Sequence, residues 1–181
     1  MKYIRVYDNV FDDSTCDHIV NVFEENPDQQ ERVIFKDTKD FSVLKLPHHP
    51  DTWEDLQNIL LARIFEQIKI YVKDTNIDVE VQWPKSIRVE GLRIKKYCHK
   101  SEQQFREHVD VRARHARDRF LAFIVYLNDN EKGFTIFPDH NVSVQPQKGR
   151  TLFFPPYWNY KNAAVPPIGN PKYIVSAFLL L

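Results

Sequence analysis

Apolar residues in the first part of the chain recur at helical spacing, and in the later part they come in short alternating runs. Ile19, Val20 and Phe23 follow Asp13-Ser14-Thr15, a helix start with Asp17 as a weak capping-box echo, and Asn26-Pro27 ends that helix. A longer stripe of Leu56, Ile59, Leu60, Ile64, Ile68 and Tyr71 predicts a helix from Asp51 to Lys73. Asp51-Thr52 would cap it and Asp74-Thr75-Asn76 would stop it. Residues 3–7 read as a short strand. Val33-Ile34-Phe35 and Ser42-Val43-Leu44 are strand candidates within a mixed stretch.

From residue 79 onward the runs are short and β-rich: 87–97, 120–127, 133–137, 141–145, 150–154 and 172–180. Turn signals separate them, including Asn128-Asp129-Asn130, Pro138-Asp139, Lys148-Gly149 and the proline-rich stretch 165–171. Helices first and short strands second predict an α+β domain with its helices packed on one face of a sandwich or barrel. At 181 residues the chain is long enough for one well-buried core and short for two. The expected division is a mainly helical buttress at 1–80 and a β core at 81–181.

Composition narrows the function. Only four glycines occur, and no glycine-rich phosphate motif is present, which argues against dinucleotide-binding and P-loop folds. The formal net charge is zero, so no nucleic-acid partner is expected. No apolar run approaches membrane-spanning length, and no membrane association is expected. The N-terminus, Met1-Lys2-Tyr3-Ile4-Arg5, has no signal-peptide core, which makes the cytoplasm the expected compartment. There Cys16 and Cys98 would remain thiols.

His108-Val109-Asp110 carries the candidate chemistry. On a strand, residues two apart face the same side, so an imidazole and a carboxylate would project together. With one more distant ligand they would make the facial set that holds non-haem iron(II) and leaves coordination positions open. Alone, the pair is a weak signal.

Five further segments are ordered around it: Leu92-Arg93-Ile94-Lys95-Lys96-Tyr97, Ala122 to Asn128, Gly133-Phe134-Thr135-Ile136-Phe137, Lys148 to Pro155, and Pro166 to Ser176. Together with His108-Val109-Asp110 they resemble the iron(II)- and 2-oxoglutarate-dependent dioxygenase superfamily, in its prolyl 4-hydroxylase-like branch. The resemblance implies a double-stranded β-helix, or jelly roll, with the N-terminal helices packed on its major sheet. It implies iron(II), 2-oxoglutarate and dioxygen, with ascorbate as a further candidate, and hydroxylation of an unactivated C–H bond. The expected substrate is a prolyl residue in a peptide, or a small molecule. Carried onto this chain, it assigns metal binding to His108 and Asp110. It gives the far carboxylate of 2-oxoglutarate to Lys172 and Tyr126, with Tyr97 and Ser176 in the same pocket. Core packing is the competing reading for both tyrosines.

The pattern breaks at the third ligand. Its expected place after the Phe153-Phe154 strand holds Asn162, followed by Ala163. An amide oxygen is a poorer iron ligand than imidazole. Three explanations stand: an active enzyme using Asn162 or a water, a metal-poor relative kept for binding, or a natural or introduced substitution in an otherwise ordinary enzyme. A ligand-binding jelly roll unrelated to oxygenases is a further class. No histidine follows His140, which lies in the Pro138-Asp139-His140 turn. His115 and His99 read as loop residues and His48-His49 as a turn. Arg112, Arg114, Arg117 and Arg119 follow the metal motif and would either attract an anionic substrate or form a solvated loop. Tyr157, Trp158 and Tyr160 would either stack on a substrate ring or close the barrel end.

Overall fold

The computed structural model describes residues 2–35, 39–98 and 104–181; His99 lies outside them. The elements in chain order are β1 (Arg5–Tyr7), α1 (Asp13–Glu25), β2 (Glu31–Phe35), β3 (Lys39–Lys45), α2 (Pro50–Asp74), α3 (Val79–Gln82), β4 (Arg88–Val89), β5 (Arg93–Tyr97), β6 (Phe105–His108), β7 (Arg119–Tyr126), β8 (Thr135–Phe137), β9 (Val142–Val144), β10 (Thr151–Phe154), β11 (Asn162–Ala164) and β12 (Lys172–Leu180).

Apolar spacing and capping agree at α1, whereas α2 begins at Pro50 without a side-chain cap and takes Asp51 and Thr52, expected to cap it, into its first turn. Asp12 caps α1, its carboxylate accepting from the Thr15 amide at 2.7 Å, and Asn26 closes the end. On α2, Trp53, Leu56, Leu60, Ile64, Ile68 and Tyr71 are buried. Ile59 was expected in this stripe but is 53% exposed. At about 100° per residue it falls on the flank of the face that Leu56, Leu60 and Ile64 define. Trp53 takes a place the stripe reading missed.

All strand pairings are antiparallel, along the path β1-β10-β7-β12-β5-β3-β6-β11-β8-β9, with β2 beside β3 and β4 beside β12. Among the described residues a single pair, Lys39 with Phe105, carries the path from β3 to β6. The sheet folds there into a large leaf and a small one, the jelly roll. The first half of the chain is therefore more than a buttress, since β1 and β3 are built into the large leaf.

Alternation along the large leaf separates two cores. On β12, Tyr173, Val175, Ala177 and Leu179 join the cluster under the helices, as do Leu121, Phe123 and Val125 of β7. Ile174, Ala122 and Tyr126 face the other way, into the space between the leaves. That inner space holds the polar site.

Candidate functional site

Period-2 geometry on β12 sends Lys172 and Ser176 inward, and on β5 it sends Tyr97 and Lys95 the same way. The small leaf contributes His108 from β6, Thr135 from β8 and Asn162 from β11. These side chains and Asp110 line one cavity.

The imidazole is held on two sides. His108 Nδ1 lies 2.8 Å from the Arg106 carbonyl oxygen, a partner that requires Nδ1 to donate and leaves the lone pair on Nε2. The Phe105 ring stacks flat on it, with 3.5 Å between centroids. His108 Nε2 stands 3.4 Å from Asp110 Oδ1. Asn162 is the register partner of His108 across β6 and β11. Its Nδ2 donates to Asp110 Oδ2 at 3.2 Å and to the Tyr160 carbonyl at 3.3 Å.

Strand alternation does not place Asp110. β6 ends at His108 and the backbone bends at Asp110. The bend is held from outside: the Val111 amide donates to the Pro156 carbonyl at 3.1 Å, and Arg119 Nη1 donates to the Asp110 carbonyl at 3.1 Å.

Two donors at about 2.1 Å from one octahedral cation lie roughly 3 Å apart. The His108–Asp110 separation is close to that, and an imidazole lone pair beside a carboxylate suits iron(II). The residues thus fit a divalent metal at two protein positions, and the third offers a neutral amide. Among the described residues no cluster of three or more His, Cys, Asp or Glu side chains could hold a metal.

Lys172 is fully buried. Its Nζ donates to the Gly133 carbonyl at 2.7 Å and sits 4.5 Å over the Tyr97 ring. Burial, and then the charge of Lys95, push its pKa down to about 7. Gly133 has φ +60°, and a Cβ there would meet Asn130 Oδ1 and Lys172 Cδ at 3.1 and 3.2 Å. The glycine leaves room for the lysine stem. Tyr97 is buried and its hydroxyl is pushed above its ordinary pKa by desolvation. Tyr126 is placed differently from the expectation. It does not line the cavity, and its hydroxyl donates to Thr135 Oγ1 at 2.7 Å. Thr135 is the inward hydroxyl that the sequence reading overlooked, although it lies in a segment quoted for the resemblance.

Outside the cavity an open groove of about 420 Å³ begins at His108 and Asp110. Lys45, Arg93, Lys95, Arg112 and Arg119 line it. Arg114 and Arg117 do not. Arg119 is not available as a steering charge, because its guanidinium is committed to Glu90 and the Asp110 carbonyl. His115 lines the groove. His140 lines neither the groove nor the cavity, and has its Nε2 2.7 Å from the Asn159 carbonyl and its ring stacked on Tyr160. Tyr157 and Tyr160 line a separate aromatic cleft with Tyr71, and Trp158 is 82% exposed. None of the three lines the His108 cavity.

An imidazole, a carboxylate and a buried lysine inside a jelly roll suit the class of non-haem metal oxygenases. Residues 92–180, just under half of the chain, match the model of the 2OG-Fe(II) oxygenase superfamily, and this region carries that superfamily's core. The superfamily uses iron(II), 2-oxoglutarate and dioxygen. No curated protein matches the chain. Solved structures share the fold. A viral collagen prolyl hydroxylase from Paramecium Bursaria Chlorella virus-1, in complex with 2-oxoglutarate, aligns with TM-score 0.70 and 19% identity over 98% of this chain and 96% of its own. A Trichoplax adhaerens prolyl hydroxylase, in complex with a hypoxia inducible factor peptide fragment, aligns with TM-score 0.74 and 12% identity over 99% and 84%. A Pseudomonas putida prolyl-4-hydroxylase aligns with TM-score 0.67 and 11% identity over 98% and 91%.

Proposed function

We propose that this chain is an iron(II)- and 2-oxoglutarate-dependent hydroxylase. His108 and Asp110 hold the metal, with residue 162 at its third protein position, and Lys172 receives the far carboxylate of the cosubstrate. The observation that carries this reading is that all four side chains line one cavity between the leaves.

Iron(II), when bound with 2-oxoglutarate and dioxygen, supplies oxidation of an unactivated C–H bond with release of succinate and CO₂. The protein's own work is to bind, orient and shield. His108 Nδ1–H is spent on a backbone carbonyl, which fixes Nε2 as the donor atom. The Lys172 ammonium pairs with the incoming carboxylate in a dry setting where charge-assisted hydrogen bonds are strong. Ser176 and Thr135 add hydroxyls, Tyr97 walls the pocket, and Tyr126 acts from behind by holding Thr135.

The substrate is a peptide, with a prolyl residue as the preferred target, or a small molecule of similar reach. The prolyl hydroxylases among the structural neighbours support the peptide reading. In the outer groove Lys45 is paired with Glu31, and Arg93 and Arg119 with Glu90; Lys95 and Arg112 also line it and favour a substrate carrying negative charge. A reducing cytoplasm would keep the metal as iron(II), and Cys16 and Cys98 as thiols.

One observation favours a second reading. The amide nitrogen of Asn162, which has no lone pair to give a metal, is the end that meets Asp110. A non-catalytic member that binds 2-oxoglutarate through Lys172 would show this feature. The deciding experiment measures succinate formation from 2-oxoglutarate with added Fe(II), for this chain and for Asn162→His. Turnover by the chain itself supports the hydroxylase, and turnover only by the variant supports the binding member. Turnover by neither rules out the mechanism, and failure to bind 2-oxoglutarate at all indicates an unrelated jelly-roll function.

A further inference from the structure

Asp110 is a metal-ligand candidate on irregular backbone, where no strand ladder fixes its position. A carboxylate there needs other restraints to stay within ligand geometry. Arg119, at the start of β7, provides one. Its Nε and Nη2 donate to the two Glu90 oxygens at 2.8 and 2.9 Å, and its Nη1 donates to the Asp110 carbonyl at 3.1 Å. The guanidinium lies 4.0 Å over the Phe178 ring. Arg93 binds Glu90 from the other side. The Arg119 and Glu90 side chains are 15% and 20% exposed. Glu90 is itself tied to β12 through its amide, which donates to the Phe178 carbonyl at 2.8 Å.

We infer that Arg119 and Glu90 form a strut that positions Asp110 for metal binding. This rests on the metal site proposed above. The guanidinium spends two donors on Glu90, which fixes its plane, and a third on the Asp110 carbonyl. Fixing that carbonyl sets the backbone from which the Asp110 side chain swings, leaving two side-chain torsions to define the carboxylate. Glu90 has a second effect, because it offsets the charge of Arg119, which would otherwise repel a divalent cation held by Asp110. Lysine cannot replace the arginine here, because a single ammonium cannot make the fork and reach the carbonyl together. Arg119 and Glu90 are positioning residues that act through Asp110.

The test measures Mn(II) affinity by titration of the free-ion paramagnetic resonance signal, for wild type, Arg119→Lys and Glu90→Gln, together with thermal midpoints. Loss of outer partners of a ligand typically weakens metal binding by about 10–100-fold. The strut predicts a loss of that order in both variants, with Glu90→Gln, the nearly isosteric change, still folded at the assay temperature. A purely structural role would lower the midpoints and leave Mn(II) affinity within about twofold, and that result overturns the strut. If Arg119→Lys fails to fold, Glu90→Gln decides alone. Wild-type protein that binds no Mn(II) would instead sink the metal site itself, a different failure from intact binding that the variants share.

Discussion

Lys172 shows how one residue can carry a site and also its pH dependence. Its pKa of about 7 in the folded, ligand-free chain lies below the ordinary lysine value. A carboxylate beside Nζ favours the ammonium, so binding raises that pKa. Above pH 7 the chain must take up a proton to bind 2-oxoglutarate. Affinity should be flat below pH 7 and fall by up to about tenfold per unit above it. Calorimetry at pH 8 in buffers of different ionisation enthalpy should report proton uptake, and Lys172→Met should abolish both uptake and binding. The same depression has the opposite sign for folding. The unfolded lysine holds its proton to higher pH, so ligand-free stability from this group rises as pH climbs from 7 toward the ordinary lysine value. Uptake unchanged by Lys172→Met would place the carboxylate elsewhere.

Much of the residue-scale picture was readable in the sequence. His108, Asp110, Asn162, Lys172, Tyr97 and Ser176 line a shared cavity, although Asp110 reaches it from a bend and not through the strand spacing expected of it. What escaped was contact chemistry. Whether the Tyr126 hydroxyl meets a ligand or Thr135, and whether Arg119 faces a substrate or Glu90, depends on partners that only the tertiary fold brings together.

At the scale of elements, long periodic segments were legible and short ones were not. α2 and β12 announce themselves by repeated apolar spacing. β6 and β11, which carry His108 and Asn162, are four and three residues long and hold too few alternations to show a period. Pairing with neighbours forms them, so tertiary context decides where local pattern cannot. Two predictions belong here. Ile64 is fully buried on α2, and Ile64→Ala should cost about 2–5 kcal/mol, read as a lower urea midpoint with an unchanged slope. Gly149, just before β10, has φ +75°, and a Cβ there would fall 2.1 Å from the Phe11 carbonyl oxygen. Gly149 also accepts from the Val10 and Phe11 amides, tying the α1 approach to the large leaf. Gly149→Ala should destabilise by about 2 kcal/mol or more, through backbone strain and displacement of that segment. A midpoint within error of wild type would contradict the packing described.

At the scale of the whole molecule, two leaves and a helical layer divide the labour. The helices cover one face of the large leaf with apolar contacts, and the other face is left to enclose a small polar site. The class α+β was legible because hydrophobic period changes along the chain, although β1, β2 and β3 lie among the helices of the first half. Closure of the sheet into leaves was legible only through resemblance, because no local signal tells a sandwich from a jelly roll. Asn162 has its consequence at this scale. Its β11 strand joins β6 to β8, so its side chain is delivered to the His108 side of the cavity by the register that pairs the two residues. Asn162→His should therefore raise Mn(II) affinity by about tenfold or more, since imidazole is the better ligand. Unchanged affinity would mean that residue 162 does not reach the metal.

The most direct test of the central claim is the visible charge-transfer band that forms when 2-oxoglutarate chelates protein-bound iron(II) without oxygen. The account predicts the band on adding both to this chain, stronger in Asn162→His, lost in His108→Ala and in Asp110→Ala, and lost at matched 2-oxoglutarate in Lys172→Met. Absence of the band in both this chain and Asn162→His, or its persistence in His108→Ala and Asp110→Ala, would contradict it.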